Sequence, residues 1–442
     1  MKKLLLCCLM ITIGLQLYAS GGGEVPSTTG DAPPKVTLYL WGGTPEEEGP
    51  AQSIAGFEKA NPDIDVIYTR YVNNAEGNVK LDVALASGLD CDVYYSYRPI
   101  NLAPRSQRGF AMPLTKFLKT DTSFNLEKEL GEGAFKWQDE YYGLPVAVWL
   151  TVYWLNMDML EEAGLPVPVE WTWDEYAQYA KALTKGEGRD KIYGAAGMHS
   201  LSGYWDVAAR GLLGSDYLFK ADGTSNLDHP AFLETLQILL ENQNAGKIEY
   251  PYLDMKATKV TTPDLFMQQK AAMVQGAPHF MRYINNLKSY PHDFKVAVAP
   301  VPVFEKGQQN YNNGFFYLDY VSINPKTKSP EAAWKLLKWM ARDGSAEMAA
   351  FGRIPANQGF SKEQISKMLL GSNEGLYDLD SFKRVMLPYG VPGYNDSQFI
   401  AYNEINEIMV QEVETVLLGE KNAQEAILDM KVKSDKAIQR AK

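Results

Sequence analysis

The four histidines of the chain, His199, His229, His279 and His292, stand singly, without the spacing that lets neighbouring imidazoles grip a metal. There is no GxSxG turn, HExxH helix, CxxC pair or P-loop. The glycine-rich stretches GEGAFK (131–136) and GEGR (186–189) lack both the Walker spacing and a preceding strand. Glu46, Glu47 and Glu48 lack the alternating carboxylates and central glycine of a calcium loop, and read as the first turn of a helix, where negative charge suits the macrodipole. No metal and no cofactor is expected. Glycoside hydrolysis needs two carboxyl groups about 5 to 9.5 Å apart across one bond, and no stretch singles out such a pair among 54 acidic residues. With 26 Tyr and 9 Trp, the chain is rich in aromatic side chains, a surplus that needs a use or a large core.

The elements that must position such groups begin after an export signal. Lys2 and Lys3, the apolar run 4–17 and the small residues 19–23 have the charged, apolar and cleavable regions of a secretory signal peptide, here 1–21, with cleavage near Gly21. Cys7 and Cys8 lie within it, so Cys91 is left without an internal disulfide partner. No cysteine stands at the cleavage point, so a periplasmic protein free of a lipid anchor is expected. Removing Lys2 and Lys3 leaves 41 basic residues against 54 acidic ones, a net of −13 that repels nucleic acid and anionic membranes. Residues 22–35 form a Pro-, Ser- and Thr-rich tether.

At 442 residues the chain exceeds the size at which single cores stop growing, so two domains are expected. Strands at 36–41, 64–71 and 92–95 alternate with helices at 51–60 and 79–86, the pattern of a parallel α/β sheet. Ligands of such sheets bind beyond the carboxyl ends of the strands, which nominates Trp41 and Glu47 after the first strand and Ser96, Tyr97 and Arg98 after the third. The stretch GLPVAVWLTVYWLN (143–156) reads as an extended bridge: Pro145 acts as edge or hinge, the run 146–153 enters a second sheet, and Trp149 lies where two lobes meet. Thr172 with Glu175 and Asn422 with Glu425 are capping boxes, and Ser329-Pro330 is an N-cap followed by an N1 proline.

The runs FEKANPDIDV (57–66), LDVALASGLDCDVYY (81–95), GFAMPLTKFL (109–118), YYGLPVAV (141–148), LNMDMLEEAGLPVPVEWTWDEY (155–176), FMQQKAAMVQGAP (266–278), VAVAPVP (296–302), SPEAAWKLLKWM (329–340) and LLGEKNAQEAI (417–427) occur in the order in which similar runs occur in family-1 extracellular solute-binding proteins of ABC importers. The chain resembles that family over residues 36–430. The resemblance implies a monomeric, two-lobed α/β periplasmic binding protein fold of type II-like topology, crossed three times by the chain, near Pro145, near 300–304 and near 353–357. Lobe one is then 36–144 plus 305–352, and lobe two 145–304 plus 353–442. It implies a carbohydrate ligand delivered to the permease subunits of an ABC importer, and no enzyme activity. A non-sugar solute, such as a polyol phosphate or polyamine, is the alternative, which should demand a cluster of basic or of acidic side chains in the cleft. It adds candidate contacts: Trp149 after the crossing, Tyr204 and Trp205 after the HSLSG run, His279 and Phe280 where relatives usually carry Trp, then Asn313 and Gly314, Arg353 and Tyr394.

Overall fold

The computed structural model describes residues 35–442, so the expected signal peptide and all but the last residue of the expected tether lie outside the described residues. Two sheets organise the chain. The first contains β1 (Val36–Gly42), β2 (Ile64–Arg70), β3 (Val93–Tyr97), β4 (Phe135–Trp137), β5 (Glu140–Trp149), β10 (Phe316–Ile323) and β11 (Ile354–Pro355). Its order is β11-β5-β10-β3-β1-β2, with β4 paired to β5. The second contains β6 (Val152–Asn156), β7 (Tyr193–Ala196), β8 (Ala271–Gly276) and β9 (Val296–Ala299), in the order β7-β8-β6-β9.

The β-α-β-α-β start is confirmed, with β1 parallel to both β2 and β3. Every residue of β3, β6, β8 and β9 is buried, as expected of strands covered on both faces. The intervening helix Ala75–Ser87 stops at Gly88, whose φ of 76° is the left-handed conformation that glycine adopts freely. Both capping boxes form as the spacing predicts. Pro330 opens its helix, although the Ser329 side chain makes no cap hydrogen bond.

Three placements differ from the sequence reading. The glutamates 46–48 precede the helix Pro50–Ala60 rather than forming its first turn, and Glu48 instead meets Arg282 at 3.2 Å. β3 runs on to Tyr97, so Ser96 and Tyr97 are strand residues. Pro145 is not the crossing point. It lies inside β5, opposite Tyr320, and β5 stays in the first sheet as far as Trp149; the passage to the second sheet is Leu150–Thr151. A proline in a central strand withholds one ladder N–H. The β5–β10 register slips next to it, at Tyr317/Asp319 and again at Asp319/Tyr320. The slips leave Leu318 of β10 and Val146 of β5 without partners across this pair and set Asp319 opposite Ala147.

The chain returns to the first sheet between β9 and β10. After β11 it passes to the second sheet again, where the helix Leu379–Met386 packs on β9. Beside the last passage, Gly352 (φ 78°) approaches the backbone of Pro278 so closely that an added Cβ would sit 1.9 Å from its carbonyl oxygen. Only glycine permits that contact between elements flanking the two sheets.

Candidate functional site

A cavity of about 690 Å³ opens where the ends of β1, β3, β5 and β10 face β8 and the segment 198–217. Six of the fourteen sequence-nominated residues line it: Tyr97, Arg98, Trp149, His279, Arg353 and Tyr394. Trp149 ends β5 opposite Phe316 and is 6% exposed, with its ring centroid 5.4 Å from that of His279. Among the described residues its buried indole N–H has no aligned acceptor, although it lies close enough to Asp319 to favour that carboxylate. Tyr97 stacks on Tyr95 at 5.7 Å and its hydroxyl accepts from the Gly43 N–H at 2.7 Å, which fixes the ring beside the β1 turn. Tyr394 stacks on Phe316 at 4.7 Å, and the Arg210 guanidinium lies over its ring, 5.2 Å from the centroid. These rings are aromatic walls held from behind.

The polar groups are held with equal definition. Arg353 and Asp319 are both buried, their Nε and Oδ2 3.4 Å apart but poorly aligned; Arg353 Nε and Nη1 and Asp319 Oδ2 are all left without a hydrogen-bond partner among the described residues. Burial raises the Asp319 carboxyl to about 6 against the opposing pull of Arg353. Burial, followed by the nearby Arg282 and Arg353, pushes His279 down to about 3, so its imidazole is neutral at physiological pH. Arg210 donates from Nε to Asn312 Oδ1 at 3.1 Å. Asp396 accepts the Asp216 N–H at 2.8 Å, and burial raises its carboxyl to about 6. Unpaired buried donors and acceptors around a cavity are the groups a ligand's polar atoms would satisfy.

The other eight nominated residues lie elsewhere. Trp41 donates its indole N–H to the Asp90 carbonyl at 2.8 Å within the first core. Glu47 is exposed and does not reach the cavity. Ser96 accepts from Arg105 at 2.8 Å in a buried network. Tyr204 and Trp205 are buried, the first with its hydroxyl on Glu249 and the second against Phe232. Phe280 stacks on Trp154 at 5.9 Å. Asn313 accepts the Val301 N–H at 3.3 Å, and Gly314 makes room for the backbone of Pro392 and Gly393.

Tyr204 carries a separate expectation. Glu249 is buried and accepts from the Tyr176 and Tyr204 hydroxyls, with burial raising its carboxyl. Tyr204→Phe removes one of these donors, so unfolding free energy should fall by about 1–3 kcal/mol in urea denaturation while ligand affinity stays at the parent value. A parent-like stability with lost affinity would place Tyr204 in the cleft.

Sequence reasoning missed Asp319, Arg210, Arg282, Phe316 and Asp396, all of which line the cavity. Two of these had a legible signal: Asp319 interrupts the apolar strand FFYLDYVSI and Arg210 the apolar helix VAARGLL. Among the described residues no group of acidic, histidine or cysteine side chains could hold a metal, and no helix is long and apolar enough to cross a membrane.

Two α/β lobes around such a cavity make the fold that of the two-lobed periplasmic binding proteins. The chain belongs to the bacterial extracellular solute-binding proteins, whose family pattern matches residues 43–347. It is a family of binding proteins, not of enzymes. A binding protein of Brucella abortus is 25% identical over 76% of both chains. The fold is similar to that of an ABC substrate-binding protein of Listeria monocytogenes solved with cycloalternan, with a TM-score of 0.75 at 20% identity over 92% of this chain and 99% of the other. It is also similar to a maltose/maltodextrin-binding domain of Bdellovibrio bacteriovorus bound to maltotriose, with a TM-score of 0.68 at 20% identity over 91% of this chain and all of the other.

Proposed function

We propose that the protein captures a carbohydrate in the periplasm by closing its two lobes around it, and delivers it as a monomer to the permease of an ABC importer. The observation that carries this reading is the wall of Trp149, Tyr97, Phe316 and Tyr394 around a cavity whose remaining surface bears planar polar side chains. Flat apolar faces beside guanidinium, carboxylate and amide groups are what a pyranose ring with its hydroxyls requires. The saccharide ligands of the Listeria and Bdellovibrio proteins support the same class. In this reading Leu150–Thr151, the segment between β9 and β10, and the segment after β11 are the hinge, whose few residues absorb the change in φ and ψ.

Closure makes a measurable prediction. A saccharide that binds the closed state more tightly shifts the population toward it. Small-angle scattering of the ligand-stripped protein should show a smaller radius of gyration once a saccharide found by fluorescence screening saturates it. An unchanged profile at saturation would count against hinge closure.

A further inference from the structure

We infer that the saccharide carries an anionic group, a carboxylate or a phosphate, seated against the guanidinium groups of the cleft; this rests on the carbohydrate reading above. The whole chain has a formal net charge of −11, yet six cationic side chains and only three carboxylates line the cavity. The excess of positive charge is therefore local and opposes the sign of the molecule. Low-dielectric walls focus such a field and raise the local concentration of a solute of opposite charge.

The carboxylates do not cancel it. Asp319 is matched by Arg353 at 3.4 Å, Asp396 accepts the Asp216 N–H and lies near Arg210 and Arg98, and Glu132 is exposed, so three carboxylates answer six cations. Lys136 and Arg282 pair with Asp139 and Glu48, but Arg70 and Arg98 are exposed at the cavity and have no ion-pair partner among the described residues. Arg98 sits at the turn out of β3 with φ 83°, a conformation costly for a residue with a Cβ, and one that tends to accumulate at ligand sites. Arg353 is the buried counterpart: 8% exposed, with Nε and Nη1 making no hydrogen bond among the described residues.

A neutral sugar satisfies some of these donors through its hydroxyls, but lobe closure over it desolvates the surplus charge without compensation. A carboxylate or phosphate supplies the missing charge and accepts two parallel N–H bonds from one guanidinium, the arrangement for which arginine rather than lysine is suited. The low value of His279 is consistent with the same positive surroundings, since Arg282 and Arg353 add to burial in keeping its ring neutral.

The test compares ligands before it compares variants. The exported chain, stripped of ligand, is titrated calorimetrically with uronate trisaccharides, their methyl esters, sugar phosphates and neutral trisaccharides such as maltotriose, each at low and at high salt. The expected result is binding of an acid about 10- to 100-fold tighter than of its ester, the range for hydrogen bonds to a charged group, with the advantage shrinking at high salt. A preference for uronates or for sugar phosphates identifies which oxyanion is read. Arg98→Gln, an exposed substitution that spares the core, should erase most of the discrimination between acid and ester. Neutral sugars binding as tightly as every acidic one would overturn the inference and leave the carbohydrate reading standing. Failure of every saccharide to bind would overturn both.

Discussion

Arg353→Met should lower the stability of the folded protein by about 3–5 kcal/mol, because it leaves Asp319 buried without its cation. The loss should also depend on pH, with a sign that follows from the carboxyl's position. Asp319 titrates at about 6 in the folded protein against 3.8 as the ordinary value, so the folded state holds this proton more tightly than the unfolded one. Its contribution to stability is complete below about pH 4 and is lost as pH rises through about 6, an effect of roughly 3 kcal/mol for a shift of this size. Without Arg353, the one charge that opposes the shift is gone, so the loss grows and extends to higher pH. Urea denaturation at about pH 5 and about pH 8 should therefore separate the variant from the parent more widely at the higher pH. Adding Asp319→Asn should flatten the difference. A variant as stable as the parent at about pH 8 would show that the two side chains are not coupled.

The second large effect falls on affinity. In the proposed cleft Trp149 is the platform indole, so Trp149→Ala should cost about 2–4 kcal/mol of binding, the range for truncating a hot spot, or roughly 30- to 700-fold in Kd. Stability should change less than the 3–5 kcal/mol typical of a tryptophan enclosed on all sides, since the truncation enlarges an existing cavity. Val146, Val148 and Val152 point into the core from alternate positions and remain in place. Melting temperature and ligand titration on one sample decide the matter: a variant that melts far lower yet binds normally would return Trp149 to the core.

Most of the architecture was legible because it rests on local patterns: alternating apolar strands, helix caps and the strand-helix-strand order of the first sheet. Residues at strand ends were legible for the same reason, and Tyr97, Arg98 and Trp149 reach the cavity from such positions. Tyr204, Trp205 and Phe280 lie in helical or turning segments near the second sheet, where a shift of one residue turns a ring from cleft to core. Their partners Glu249, Phe232 and Trp154 are distant in sequence, so no local signal marks them as core. Pro145 was expected at the crossing because proline disfavours central strands; the slipped register of β10 accommodates it instead. The same slips set the register around Asp319, whose face of the sheet strict alternation along β10 does not give, although its charge in an apolar strand was legible.

Whether the cavity bounded by Trp149, Tyr97 and Arg353 holds a saccharide between the lobes is decided by a crystal structure of the protein saturated with its tightest-binding saccharide. Expected there are a sugar ring against the Trp149 indole, ligand oxygens within hydrogen-bond distance of the open Arg353 N–H groups, and contacts from both sheets. Ligand density confined to one lobe, or lying away from Trp149 and Arg353, would contradict the carbohydrate-cleft reading.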